Sequence, residues 1–237
     1  MKMLKFPLME EINPIQASVL IALLFKPKAR FRDLNTLGIT TDHFNFHVKR
    51  LLKVGLIEKT EGLYQLSQKG KQFAGLIDTG KAVLEKQAKI GVIVCSMKKV
   101  KGVTKYLVQR RLKQPFYEYN GFVSGKIRWG ETANKAAHRE LSEETNLKGD
   151  LNLIGIEHKM DYSKDKILLD DKFFFIYKAT SLKGRLNRDF KEGENVWLTG
   201  EEIIKLPRLF DDMRQILEMS KKKHLVFVEN KFFVSGF

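Results

Sequence analysis

The stretch GKIRWGETANKAAHRELSEETNL, Gly125 to Leu147, gathers Glu131, Glu140, Glu143 and Glu144 inside a chain of net charge +15. If Ala133 to Thr145 form a helix, the i, i+3, i+4 spacing sets Glu140, Glu143 and Glu144 within an arc of roughly 100°. Carboxylates so placed repel one another unless a cation sits among them. Either the acids cap and solubilise a surface helix, or they hold something strongly positive. Hard oxygen ligands in a cluster suit Mg²⁺ or Mn²⁺, ions that keep several waters and bridge to substrate phosphates.

Such a helix needs a scaffold. Thr132 is placed to cap it, and Ala133, Ala137 and Leu141 form a narrow apolar strip whose alanines allow close approach to a sheet. IGVIVCSM and KYLVQRRL read as strands joined by the lysine-rich turn KKVKG, and LNLIGIEHKM and KFFFIYKAT as two more. Beyond Trp197, TGEEIIKLPRLFDDMRQILEM supplies one or two helices, and HLVFVENKFFVSGF reads as a closing hairpin that turns at Glu229-Asn230. Strands around one central helix predict a mixed α/β domain. Cys95, the single cysteine, falls in an apolar strand and reads as a small core residue; no internal disulfide can form, which fits a reducing cytosol.

The first part of the chain has a helical rhythm. NPIQASVLIALLFKP opens with Asn13 as cap and Pro14 at the first helical position. FRDLNTLG is a short helix ending at Gly38, and TTDHFNFHVKRLLKVG a longer one that Thr41 caps and Gly55 stops. Phe44, Val48, Leu51 and Leu52 fall on its core stripe. His43, Asn45, His47, Lys49 and Arg50 lie mostly off it, residue types suited to base edges and phosphates. LIEKTEGLYQLSQKGKQFAGLID then reads as strand, turn, strand and helix. Three helices and a hairpin, with the phrase HVKRLLKVGLIEKTEGLYQLSQKGK, resemble the winged helix-turn-helix of transcription regulators over residues 1–78. The resemblance implies double-stranded DNA as a partner, through those five residues. Residues 79–89, within DTGKAVLEKQAK, read as a helical connector, which leaves 90–237 for the second domain.

A sequence pI of 9.7 points to polyanions, either nucleic acid or phosphorylated small molecules. The longest apolar run, Ser18 to Phe25, is too short to span a bilayer, and MKMLKFPLMEEINP lacks a signal-peptide pattern. A cytoplasmic protein without a membrane partner is expected; a homodimer is left open.

The acidic stretch matches the Nudix box, G-x5-E-x7-R-E-U-x-E-E-x-G-U with U aliphatic: Gly125, Glu131, Arg139, Glu140, Leu141, Glu143, Glu144 and Leu147 take its places. Asn146 stands where the final glycine is usual, and Asn is the best non-glycine residue for a left-handed helix terminus. The resemblance to Nudix hydrolases implies an α/β/α sandwich with a mixed sheet, so the whole chain is read as α+β in two domains. It implies Mg²⁺, with Mn²⁺ as an alternative, held by Glu140, Glu143, Glu144 and the Gly125 carbonyl. Glu143 or Glu144 would position or deprotonate water, Arg139 would hold a box glutamate, and Glu131 would fix the entering loop. The reaction implied is hydrolysis of a nucleoside diphosphate linked to another moiety. Arg110, Arg111 and Lys126 are candidate phosphate clamps. Tyr162 with no nearby proline leans away from ADP-ribose, and Glu194 falls in a loop that in relatives approaches substrate. The alternative is a transcription regulator whose Nudix domain senses a nucleotide, although its best-known examples carry the two folds in the reverse order. In a third reading the winged helix only docks a protein or mediates dimerisation.

Overall fold

The structure, a computed structural model, describes residues 12–235. The chain divides into two compact units, Met1–Lys86 and Gln87–Phe237.

In the first unit α1 (Pro14–Phe25) begins at Asn13, whose side chain accepts the Ile15 N–H at 2.9 Å. Helices α2 (Phe31–Leu34) and α3 (Thr41–Lys53) follow. Thr40, not Thr41, holds the cap position of α3, and its side chain makes no capping bond. Gly55 at φ 71° reverses the chain after that helix. Strands β1 (Ile57–Thr60) and β2 (Leu63–Leu66) pair antiparallel, with Thr60 opposite Leu63. Both turn residues, Glu61 and Gly62, have positive φ, the geometry that matches the twist of a tight hairpin. Ser67 caps α4 (Gln68–Ala74) by accepting the Gly70 N–H at 2.9 Å. Leu20, Leu34, Phe44, Val48, Leu51 and Leu56 form the core of the unit.

The helical connector expected from Asp78 to Lys89 does not form. Short strands β3 (Ile77–Asp78) and β4 (Val83–Leu84) pair there instead. The Asp78 carboxylate accepts the N–H groups of Gly80 and Lys81 at 2.8 and 3.0 Å, a local turn that competes with helix.

The second unit is built on one mixed sheet. Its long strands are β5 (Lys89–Val100) and β6 (Val103–Arg111), with short β7 (Asn120–Gly121) and β8 (Val123–Lys126) attached to them. After α5 (Ala133–Thr145) come β9 (Lys148–Tyr162), β10 (Leu168–Lys183), β11 (Asp189–Phe190) and β12 (Gly193–Leu198). Helices α6 (Gly200–Ile203) and α7 (Met213–Lys221) precede β13 (Val226–Phe233). The order across the sheet is β11-β12-β6-β5-β10-β9-β13, with β5 parallel to β10 and β13 parallel to β9. Ala136, Ala137 and Leu141 of α5 pack on Val92, Val94, Leu107 and Val123 on one face. Met213, Ile216 and Leu217 pack with Ile93, Cys95 and Ile176 on the other. Among the described residues no helix is long and apolar enough to cross a membrane.

Two sequence expectations meet this sheet. The closing hairpin at Glu229-Asn230 is absent: β13 runs straight through both residues, because the Asn230 side-chain amide bonds Glu157 Oε1 at 2.9 Å and Gln215 Oε1 at 2.6 Å and holds the strand extended. Asn146 adopts φ 59°, ψ 21°, the left-handed terminus expected of it, and donates to the Arg185 carbonyl at 3.1 Å. Asn146→Ala should therefore destabilise the second unit by about 1 kcal/mol, while Asn146→Gly stays within about 0.5 kcal/mol of the parent. Both tryptophans, Trp129 and Trp197, lie in that unit, so urea unfolding followed by tryptophan fluorescence reads it selectively.

Candidate active site

Thr132 starts α5 by accepting the Lys135 N–H at 3.3 Å, and the buried alanines seat the helix on the sheet with its acidic face turned to a cavity of about 920 Å³. Glu140, Glu143, Glu144 and Gly125 all line that cavity. Gly125 pairs with Val92 in the β5–β8 ladder, directly beside the Glu140 carboxylate. A Cβ on Gly125 would lie 2.0 Å from that carboxyl carbon, so only glycine leaves Glu140 its place.

Arg139 organises the cluster. Its Nε and one terminal nitrogen grip both oxygens of Glu131 at 2.8 and 2.9 Å. The other terminal nitrogen reaches Glu140 at 2.5 Å and Glu143 at 3.2 Å, and the guanidinium also donates to the Lys126 carbonyl at 3.0 Å. Glu131 in turn accepts the Arg128 backbone N–H at 3.0 Å, which closes the loop entering α5. Burial pushes the Glu140 carboxyl above its ordinary range. Burial likewise lifts Glu144 to about 7, against the opposing bond from Gln109 at 2.9 Å. Glu143 is half exposed and turned toward Arg128 and Arg139. In this arrangement no three acidic, histidine or thiol side chains among the described residues converge on one point. The four expected ligands share one wall of the cavity, with Glu143 drawn aside by two arginines.

Of the expected phosphate clamps, Arg111 and Lys126 line the cavity and Arg110 does not. Neighbours on a strand point to opposite faces, and Arg110 is spent on Glu118 and Glu194 outside. Arg111 is tied through Nε to the carbonyls of Lys113 and Pro115 at 3.0 and 2.7 Å. Tyr162 also lies away from the cavity, its ring 5.9 Å from Phe233. Glu194 belongs to strand β12, opposite Arg110, and not to a loop. In the first unit His43, Lys49 and Arg50 are exposed on α3 and Asn45 is half-buried. His47 is not available to a ligand there: it is 5% exposed, packed on the core side, with its Nε2 3.2 Å from His43 Nε2.

The floor of the cavity was not foreseen. Lys172 on β10 bridges Asp161 and Asp170 at 3.0 and 3.1 Å, and Lys89 meets the same Asp170 at 2.7 Å. Beside them Lys159 pairs with Asp212 at 3.1 Å, both almost wholly buried. Phe122, Phe174 and Phe210 supply apolar wall next to this polar floor. In the sequence these lysines look like any others; only the register Lys172↔Lys89 and Lys172↔Lys159 assembles them.

Glu131 yields a pH test. Its bond from Arg139, then that from the Arg128 N–H, holds its carboxyl down at about 2, below the ordinary 4.5. A depressed carboxylate stabilises the fold fully above the ordinary value, and the contribution is lost as pH falls through the folded value. Between about pH 4.5 and 2 the parent chain should therefore lose more stability than Glu131→Gln, as read by tryptophan fluorescence in urea. Equal pH slopes for the two would show that the pair does not stabilise the fold.

Comparison with known proteins places this architecture. Residues 85–219 match the model of the NUDIX domain. The mutator MutT protein of Bacillus halodurans superposes with a TM-score of 0.53 at 17% identity, over 63% of this chain and 93% of that one. The NUDIX domain of Shewanella oneidensis NrtR, solved with ADP ribose, superposes with a TM-score of 0.51 at 16% identity, over 66% of this chain and 97% of that one. At such identities the likeness is one of fold; the matched residues, more than half of the chain, carry the assignment that this chain belongs to the Nudix family.

Proposed function

We propose that this chain is a metal-dependent pyrophosphohydrolase that cleaves a nucleoside diphosphate linked to another moiety. The observation that carries the reading is that Glu140, Glu143, Glu144 and Gly125 line the same cavity as Arg111, Lys126 and Arg128. One wall offers acids to a cation and the neighbouring wall offers cations to phosphates. The donor set fits Mg²⁺ or Mn²⁺: all-oxygen, with Glu140 and Glu144 buried at a cost that a cation would offset. Glu140, Glu143, Glu144 and the Gly125 carbonyl would hold it. When bound, such an ion neutralises phosphate oxygens and acidifies a coordinated water.

The remaining work falls to side chains. Arg139 and Glu131 keep α5 and its entering loop in register, so that Glu143 and Glu144 stay within reach of the reacting phosphate. Arg111, held by two backbone carbonyls, and Lys126 clamp the phosphates in place. Glu143, half exposed and held by arginines that a phosphate can compete for, or Glu144, orients the attacking water and accepts its proton. The cavity volume suits a nucleotide-sized ligand. ADP-ribose belongs among the candidates, since the NrtR domain was solved with ADP ribose and Tyr162, which leaned against it, does not line the cavity.

The test is turnover of a nucleotide panel with Mg²⁺. Glu143→Gln and Glu144→Gln should each lower kcat by about 10²–10⁴ while the variants stay folded. Absence of turnover for every panel member would overturn the reading in favour of the alternative, a regulator whose Nudix domain senses a nucleotide.

We infer that the first unit is a winged helix that binds double-stranded DNA. Support comes from the helix-helix-helix-hairpin order and from His43, Lys49 and Arg50, exposed on α3. Binding to the DNA upstream of its own gene should weaken with salt, and replacing Lys49 or Arg50 with Ala should reduce the salt slope by about 1 each. A chain that binds no DNA at low salt would leave the first unit as a protein-docking module.

A further inference from the structure

Strand β13 forms one edge of the sheet: it pairs with β9 on one side, and no strand among the described residues pairs with its other side. Its side chains alternate, leaving Phe227, Glu229, Lys231 and Phe233 exposed on one face. The two phenylalanines are 56% and 62% exposed. An open edge carrying bulky apolar residues is an invitation to pair, and isolated edges are normally blunted.

The backbone is presented for pairing as well. Val234 donates its N–H to the Tyr162 carbonyl at 2.8 Å, in the direction of β9. Since successive peptide groups of a strand alternate in direction, the N–H and C=O groups of 227, 229, 231 and 233 point outward. These are the same residues whose side chains are exposed.

We propose that β13 is a homodimer interface, at which two copies of this chain pair their edge strands antiparallel about a two-fold axis through Asn230. In that register Phe227 of one copy faces Phe233 of the other, and Glu229 faces Lys231. Each hydrogen-bonded pair is therefore either aromatic on aromatic or opposite in charge, and the symmetry repeats both pairs. The neighbouring registers that keep the faces aligned fail. Sliding one way sets Glu229 against Glu229 and Phe227 against Lys231. Sliding the other way sets Lys231 against Lys231 and Phe233 against Glu229. The sequence FVENKFF thus admits one self-pairing and penalises the two beside it.

Lys231 makes no ion pair among the described residues, so an acid of a second copy has no intramolecular competitor there. Glu229 accepts from His158 Nδ1 at 3.0 Å through one oxygen and remains 59% exposed. It is held in the strand yet open on the outside. The occupant indicated is a second copy of this chain, because the pattern complements itself and needs no other sequence.

The test uses the full-length chain in sedimentation equilibrium from low to high micromolar concentration. The parent should form a reversible dimer. Lys231→Glu, which breaks no ion pair among the described residues, should weaken it about tenfold or more, and so should Glu229→Lys. The double variant Glu229→Lys/Lys231→Glu restores opposite charges in this register alone and should recover the dimer. Amide exchange at 227, 229, 231 and 233 should slow with concentration in the parent and the double variant. A parent that stays monomeric, a dimer indifferent to Lys231→Glu, or a double swap that fails to restore association would each overturn the proposal. Loss of nucleotide turnover plays no part in these readouts, so the interface stands or falls apart from the enzymatic reading.

Discussion

One guanidinium holds the candidate site together. Arg139 satisfies both oxygens of Glu131, touches Glu140 and Glu143, and bonds the Lys126 carbonyl across the strand before α5. A helix with so many acids on one face would otherwise repel itself and drift from its loop. Charge-assisted, forked hydrogen bonds of this kind fix position as well as energy. A lysine, with a single nitrogen, could not grip a carboxylate on two edges and reach two further acids. The placement of Glu140 against Gly125 follows from it, and so does the half-free state of Glu143, whose partners are cations that an incoming anion can draw away.

The sheet makes a second contribution. Its alternation sends Arg111 into the cavity and Arg110 out of it, and lays Lys89, Lys159 and Lys172 on one floor interleaved with aspartates. Buried ion pairs of this kind add little net stability, because desolvation opposes their attraction. Their effect is geometric: donors and acceptors are held at fixed points beside aromatic walls, as a selective binding surface requires.

What the sequence makes legible is what lies close together along the chain. Residues Gly125 to Leu147 carry the acidic helix, its cap, its arginine and its left-handed end within one short stretch; spacing makes the acidic face and the cap legible, and the resemblance to the Nudix box the arginine and the helix end. The N-terminal helices and hairpin were readable for the same reason. The cavity floor was not, since it depends on the pairing of residue 89 with residue 172 and of 172 with 159. His47 lies three residues after Phe44 and four before Leu51, on the buried side of α3, because the apolar stripe of a helix is wider than the four residues that mark it. Helix propensity misleads at 79–89, where one aspartate side chain redirects the backbone, and turn propensity misleads at β13, where Asn230 is held in the strand by a carboxylate and a side-chain amide oxygen.

The parallel pairing of β5 with β10 has a kinetic meaning. Lys89 to Ser96 lie beside Lys172 to Ala179, and the whole acidic helix is enclosed in the loop that this contact closes. A helix can form early from local bonds, but the floor opposite it must await a contact of very long sequence separation, with its large entropic cost. The acidic wall thus rests on local contacts and the ion-paired floor on distant ones, so closing the cavity carries the loop-closure entropy of the β5–β10 pairing.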